Sequence, residues 1–251
     1  MTPEMFSKPD LFEAKRVLAV QPHYDDNDIA AGGTLAKLAA QGTEILYLTV
    51  TDDLVGVVDQ SLAEADMLAG LKADLERAGE IIGVKDRFWL GYPDAGQYDY
   101  FDVRRGIIQH IRAIRPDFVI TCDPWMPYEF HNDHILAGRA AADAASLYGL
   151  MGLKTDPAVD VAYEAHDLLG IAFYASAYPN TVVDISDVWA KKRGAVDQYR
   201  MQFSAEDMEI LQGRLELWAR HAAAEAAFTH AETLKVMHTW QLHLFPDAWK
   251  V

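Results

Sequence analysis

The chain has 251 residues, enough for one large α/β domain and short for two complete ones. Apolar residues make up 51% and charged residues 24%, an ordinary globular balance that excludes a disordered or fibrous chain. The 22 Lys and Arg against 38 Asp and Glu leave a net charge of −16, which repels phosphates and argues against nucleic acid or an anionic membrane surface as partner.

Arg16–Val20 is a short apolar run that reads as a buried strand, and the Ala-rich stretch Ile29–Gln41, ended by Gly42, reads as a helix. Residues 44–50, EILYLTV, form a second strand rich in β-branched and aromatic side chains. Ser61–Ile82 puts Leu62, Leu68, Leu71, Leu75 and Ala78 on an apolar side and closes at Gly83, which predicts a long helix. The alternation continues through Arg87–Leu90 (strand), Val103–Ile114 (helix, stopped by Arg115-Pro116), Phe118–Cys122 (strand) and His134–Tyr148 (helix). Gly149–Asp160, with two glycines and a proline, is an excursion. Ile171–Ala175 and Val182–Ile185 read as later strands. Val188–Phe203 and Ala205–Phe228 read as helices, so the portion from about residue 187 is expected to be helical.

Strands alternating with helices of this length predict a Rossmann-like, three-layer α/β/α fold with a mostly parallel sheet. Cys122 is the only cysteine, so neither an intrachain disulfide nor a Cys-rich zinc cage is available. No run nears the ~18 apolar residues of a membrane span, and residues 1–17 hold no apolar leader core. The expectation is a single soluble, cytoplasmic domain over residues 1–251.

In open α/β sheets ligands sit beyond the carboxyl ends of the strands, so the loops after the first four strands are the ones to read. The first is Gln21-Pro22-His23-Tyr24-Asp25-Asp26-Asn27-Asp28. A dinucleotide fold would carry G-x-G-x-x-G there, whereas three aspartates repel a pyrophosphate and invite a cation. An EF-hand does not fit, because Ala30 and Ala31 fall where an oxygen ligand and a glycine are needed. The loop after the fourth strand ends in Phe130-His131-Asn132-Asp133-His134. His23, Asp25 and Asp26 facing His131, Asp133 and His134 supply imidazoles and carboxylates, a mixture that suits zinc with three protein ligands and one open position. Asp25, Asp26 and Asp133 also suit helix N-caps. Two such clusters at neighbouring strand ends weigh against capping as their whole role. A serine hydrolase or a zincin has no support, since G-x-S-x-G and H-E-x-x-H are both absent.

These two clusters resemble the motifs of the LmbE-like, PIG-L family of zinc-dependent de-N-acetylases, typically His-Pro-Asp-Asp-Glu and His-x-Asp-His. The resemblance runs from about Val17 to Ala145 and takes in Arg77–Val84, Leu90-Gly-Tyr-Pro-Asp94 and Arg115–Val119. It extends to the Lys-containing stretch Lys191–Tyr199 with Gln202 beyond it, and to Ala224–Phe228. Tyr24 replaces the family's Pro, Asn27 its Glu, and Leu71 or Lys72 an Arg found in many members.

The resemblance implies that His23, Asp26 and His134 ligate Zn²⁺. It makes Asp25 the general base, His131 the group that stabilises or protonates the intermediate, and Asp133 the residue that orients His131. The implied activity is removal of an N-acetyl group from an amino sugar or related small substrate. The alternatives are an amidase or deamidase acting on another small amide, and a metal-binding module without catalysis. It also leaves open a homo-oligomer in which His238 or His243 enters a neighbour's site. Otherwise His221, His230, His238 and His243 read as surface or packing residues of a helical tail, and Trp218, Phe228 and Trp240 as core or interface aromatics.

The substrate expectation rests on the loop aromatics. Tyr92, Tyr98, Trp125 and Tyr128 are expected to bind it, because aromatic faces pack on sugar rings while polar edges reach hydroxyls. Neither Tyr92–Phe101 nor Cys122–His134 contains a Lys or Arg, so a neutral N-acetylated saccharide is expected rather than a phosphate. Arg104 and Arg105 are the residues whose inward turn would reverse that expectation.

Overall fold

The computed structural model describes residues 6–251. Its strands are β1 (Arg16–Gln21), β2 (Glu44–Thr51), β3 (Val84–Tyr92), β4 (Phe118–Cys122), β5 (Gly170–Tyr174), β6 (Thr181–Asp184) and β7 (Ala231–Met237). They lie in one sheet in the order β3-β2-β1-β4-β5-β7-β6. The first five strands of the chain are mutually parallel, while β7 runs antiparallel to both β5 and β6.

Burial on both faces explains the apolar runs. In β1, Val17 and Ala19 enter one hydrophobic cluster while Leu18 and Val20 enter the other. The helices α1 (Asp26–Ala40), α2 (Glu64–Ile82), α6 (Trp189–Val196) and α7 (Ala205–Ala222) contribute to the first cluster. On the opposite face α3 (Tyr100–Ile114) and α4 (Asn132–Leu147) form the second, with the short α5 (Pro157–Ala162) beside α3. This is the three-layer α/β/α arrangement with a mostly parallel sheet. Helix α4 sits close to the sheet because Gly138 faces β4, where a Cβ would come within 2.5 Å of the Cys122 carbonyl oxygen. Among the described residues no helix is long and apolar enough to cross a membrane.

Three expected elements are corrected. Ser61 does not belong to α2, because its N–H and hydroxyl both bond to Asp59 Oδ1 in a side-chain-closed turn. The helix expected over Val188–Phe203 stops at Val196, and beyond it Met201 gives its N–H to Asp74 Oδ2 of α2 and accepts Val58 N–H on its carbonyl. The expected helical tail contains β7, which β5 and β6 flank. There, both faces of the strand are covered, so charged Glu232 and Lys235 are buried along with Leu234 and Val236. Of the tail aromatics, Trp218 and Trp240 are more than half exposed rather than core residues.

Candidate metal centre

The strand order places β1 and β4 side by side with their loops diverging, the switch point at which an open α/β sheet forms a crevice. The loop after β1 carries His23 and Asp25 and runs directly into α1, whose first residue is Asp26. The loop after β4 ends at His131, the N-cap of α4, so Asp133 and His134 lie in that helix's first turn. Asp25 sits at the N-cap of α1 yet makes no side-chain capping bond, which leaves its carboxylate for other work. Gln21 braces this loop, donating to Tyr24 O and accepting the Asn27 N–H.

His23, Asp26 and His134 converge. Asp26 Oδ2 is 3.2 Å from His23 Nδ1, and its Oδ1 is 3.3 Å from His134 Nε2. One donor atom from each of the three falls within 4.8 Å of the others. Two imidazoles and a carboxylate form the donor set expected of a zinc-like ion with a position left open. A second group shares His23: its Nε2 lies 3.3 Å from Asp94 Oδ1 and 3.5 Å from Asp133 Oδ2. Since the ring's Nδ1 faces Asp26, this outer pair of carboxylates acts as the bracket that fixes a ligating histidine's orientation. Asp133 is itself pinned, accepting the Tyr98 hydroxyl at 2.7 Å and the Ala95 N–H at 2.8 Å.

The electrostatics follow from burial and crowding. Burial opposes charge on His23, but its bonds to Asp133, Asp26 and Asp94 raise the ring's pKa well above the usual histidine value. Burial and the charge of Asp26 push Asp25 up to about 7, despite His23 and an amide bond from Gln202 that favour its ionised form. Asp26 is held ionised: burial disfavours this, and His134 and His23 more than compensate. His131 is lowered by burial and by the other two histidines, so it stays a neutral imidazole near pH 7.

The site opens into a cavity of about 310 Å³ lined by His23, Asp25, Asp26, His131, His134, Asp53, Val55, Gly56, Asp94, Ala95 and Gln202. Thus all six polar residues singled out in the two loops come together, five of them on the cavity wall with Asp133 behind. Asp133 bonds toward His23 rather than His131, whose buried Nδ1 has no partner. The four aromatics expected to bind substrate are not on the wall. Tyr98 spends its hydroxyl on Asp133, Tyr92 packs on Tyr98, Trp125 packs on Phe173, and Tyr128 is 99% exposed. Asn27 turns away, its amide on Ala19 O. Leu71 is buried in the core and the Lys72 ammonium lies over Trp89. Arg104 lies over Phe101 and Arg105 pairs with Asp102, so neither enters the cavity.

Asp53, Asp94 and Gln202 were not foreseen as wall residues. The two aspartates directly follow β2 and β3, the loops that the sheet geometry marks, but no spacing motif ties them to the first cluster. Gln202 arrives from a segment that its sequence predicts to be helical but that instead leaves the helix after Val196 and turns back against α2.

Comparison with known proteins agrees with this geometry. The family model described as PIG-L: GlcNAc-PI de-N-acetylase matches residues 18–145. A diacetylchitobiose deacetylase of Thermococcus kodakarensis is 32% identical over 94% of this chain and 88% of its own length. A 1D-myo-inositol 2-acetamido-2-deoxy-alpha-D-glucopyranoside deacetylase of Segniliparus rotundus is 33% identical over 54% of this chain and 51% of its own. The solved N,N'-diacetylchitobiose deacetylase from Pyrococcus horikoshii superposes with a TM-score of 0.88 at 30% identity, covering 97% of this chain and 92% of that one.

Proposed function

We propose, since the chain belongs to the PIG-L family of GlcNAc-PI de-N-acetylases, that it is a zinc-dependent hydrolase releasing acetate from a neutral N-acetylated amino sugar. The observation that carries this reading is a carboxylate not spent on a helix cap, Asp25, beside a two-histidine, one-aspartate set at the switch point. The relatives named as deacetylases of acetylated sugars support the substrate class. Zinc as the ion and the cytoplasm as the compartment are part of the same reading, the latter because the lone Cys122 is a buried free thiol.

His23, Asp26 and His134 would hold the ion, which supplies a Lewis acid for the acetamide carbonyl and acidifies water. Asp25, poised near neutrality, takes a proton from the attacking water as its oxygen bonds to the carbonyl carbon. The same carboxyl passes that proton to the nitrogen as the C–N bond breaks, giving acetate and the free amine. His131, a neutral imidazole on the cavity wall, donates to the carbonyl oxygen as charge develops there. The N-termini of α1 and α4 both point at this region and favour the same negative charge.

The cavity wall carries Asp25, Asp26, Asp53 and Asp94 and no Lys or Arg, which supports a neutral substrate over a phosphorylated one. The test compares acetate release from N,N'-diacetylchitobiose before chelation, after it, and after zinc is restored. Loss and recovery are expected, together with a higher kcat/KM for a neutral N-acetylglucosaminide than for its 6-phosphate. Preference for the phosphate would refute the neutral-substrate assignment.

A further inference from the structure

Gln202 is the one cavity-wall residue, among those described, contributed from beyond α4. The chain just before it is fixed from three sides. Met201 bonds to Asp74 of α2 and to Val58 of the loop after β2, and buried Tyr199 gives its hydroxyl to Asp28 of α1. The side chain therefore enters the cavity from a rigid support. Its amide donates to the Asp25 carboxylate, which sets the nitrogen end toward Asp25 because a carboxylate only accepts. The other end, Oε1, is buried with no partner. Buried acceptors are rarely left unpaired in native proteins. The aspartates that share the wall are acceptors themselves and give this oxygen no relief.

We propose that Gln202 Oε1 accepts the N–H of the scissile acetamide, making Gln202 a specificity-determining residue that distinguishes amides from esters. The inference rests on the deacetylase reading above. One planar amide then touches both partners in the nitrogen-side proton transfer: Nε2 holds Asp25 and Oε1 holds the substrate nitrogen. That places the proton carrier beside the atom it must protonate. An acetyl ester presents an oxygen at the same position and leaves Oε1 unpaired, a mismatch that sites built to bind an N–H discriminate against.

The test is the ratio of kcat/KM for methyl N-acetylglucosaminide to that for methyl 2-O-acetylglucoside, in the zinc-loaded enzyme and in Gln202→Met. Any disturbance of Asp25 lowers both rates and cancels in the ratio. The ratio is expected to fall roughly 10- to 100-fold, the cost of leaving a buried N–H without its acceptor. Should the Met variant fail to fold by zinc content and thermal midpoint, Gln202→Glu serves. It keeps an acceptor but cannot donate to Asp25 when ionised, so both rates drop while the ratio stays at the wild-type value. An unchanged ratio in a folded Gln202→Met, or a collapsed ratio in Gln202→Glu, overturns the assignment while leaving the deacetylase reading intact. If the wild-type enzyme cleaves neither compound nor diacetylchitobiose, the deacetylase reading itself fails and this inference with it.

Discussion

Helix α1 connects two buried polar clusters that treat their carboxylates in opposite ways. On the side of its first turn facing β2, Asp28 receives the hydroxyls of Tyr47 and Tyr199, each at 2.5 Å. Nearby Glu232 of β7 accepts the N–H groups of Gly33 and Thr34, the Thr34 hydroxyl and the Lys192 ammonium. Every carboxylate oxygen there has a donor, and the cluster brings its own cation. At the N-terminus of the same helix, Asp25, Asp26, Asp94 and Asp133 crowd around His23 and His134, and no Lys or Arg lines that cavity. Acceptors exceed donors. The saturated cluster reads as architecture, while the unsaturated one calls for a cation from outside the chain. Burial pushes Asp28 up to about 6 even with its two tyrosines and Lys192 favouring the charge, which measures how strongly such sites need positive partners.

The sharpest way to break the comparison is to remove members of the unsaturated cluster one at a time. Asp26→Ala, His23→Ala and His134→Ala should lose bound zinc in metal analysis. Asp25→Ala should keep near-stoichiometric zinc and lose ~10²–10⁴ in turnover, the range of a positioned general base. Equal metal retention by the Asp25 and Asp26 variants would show the ligand assignment to be wrong.

The saturated cluster predicts the reverse pattern. Lys192 and Glu232 pair at 2.6 Å with side chains only 5% and 4% exposed. Glu232→Ala leaves that ammonium buried and alone, so urea unfolding should report a loss of about 3–5 kcal/mol. The folded fraction should still bind zinc. A loss below about 1 kcal/mol would mean that the network is not what secures α1 to β7.

The unequal legibility of these two regions has a physical cause. His23, Asp25, Asp26 and His131, Asp133, His134 are close in sequence within each loop, and parallel sheet topology alone brings the two loops together. Strand β4 is readable to the residue because it is an uninterrupted buried run that begins just after the Arg115-Pro116 stop of α3. Strand β7 is not. Its Glu232 and Lys235 look solvent-exposed in sequence and are buried only because Lys192, the middle of α1 and the residues at 249–251 supply partners. The aromatic loop residues misled for a related reason. Local composition signals a surface that can stack on a ring, but Tyr98 is committed to Asp133 across 35 residues of chain.

A smaller effect is expected at His131. Its ring is on the cavity wall, lowered toward the neutral form, and tied to no carboxylate through Nδ1. His131→Ala should retain zinc and lower kcat by roughly 10²–10³, the contribution of one donor to a developing oxyanion. Unchanged turnover in the folded variant would reduce His131 to a packing residue.

The finest test concerns protons. Without an ion, the three carboxylates around His23 overcome the opposing effect of burial and keep the ring protonated at neutral pH. A metal can bind Nδ1 only after displacing a proton, so loading should release at least about one proton per ion at pH 7. Asp25, pushed up to about 7, adds a fraction as the nearby cation favours its ionised form. The sign is fixed: affinity for zinc falls as pH falls, because protons compete for the same nitrogen. Calorimetry of zinc binding in two buffers of different ionisation enthalpy reads the released protons directly. In Asp133→Asn one of the groups raising His23 is gone, and the release at pH 7 should shrink. No release from the wild-type protein would mean that His23 is already neutral. The carboxylate bracket would then orient the ring without charging it, and the contrast with the cation-supplied cluster around Glu232 would lose its electrostatic basis.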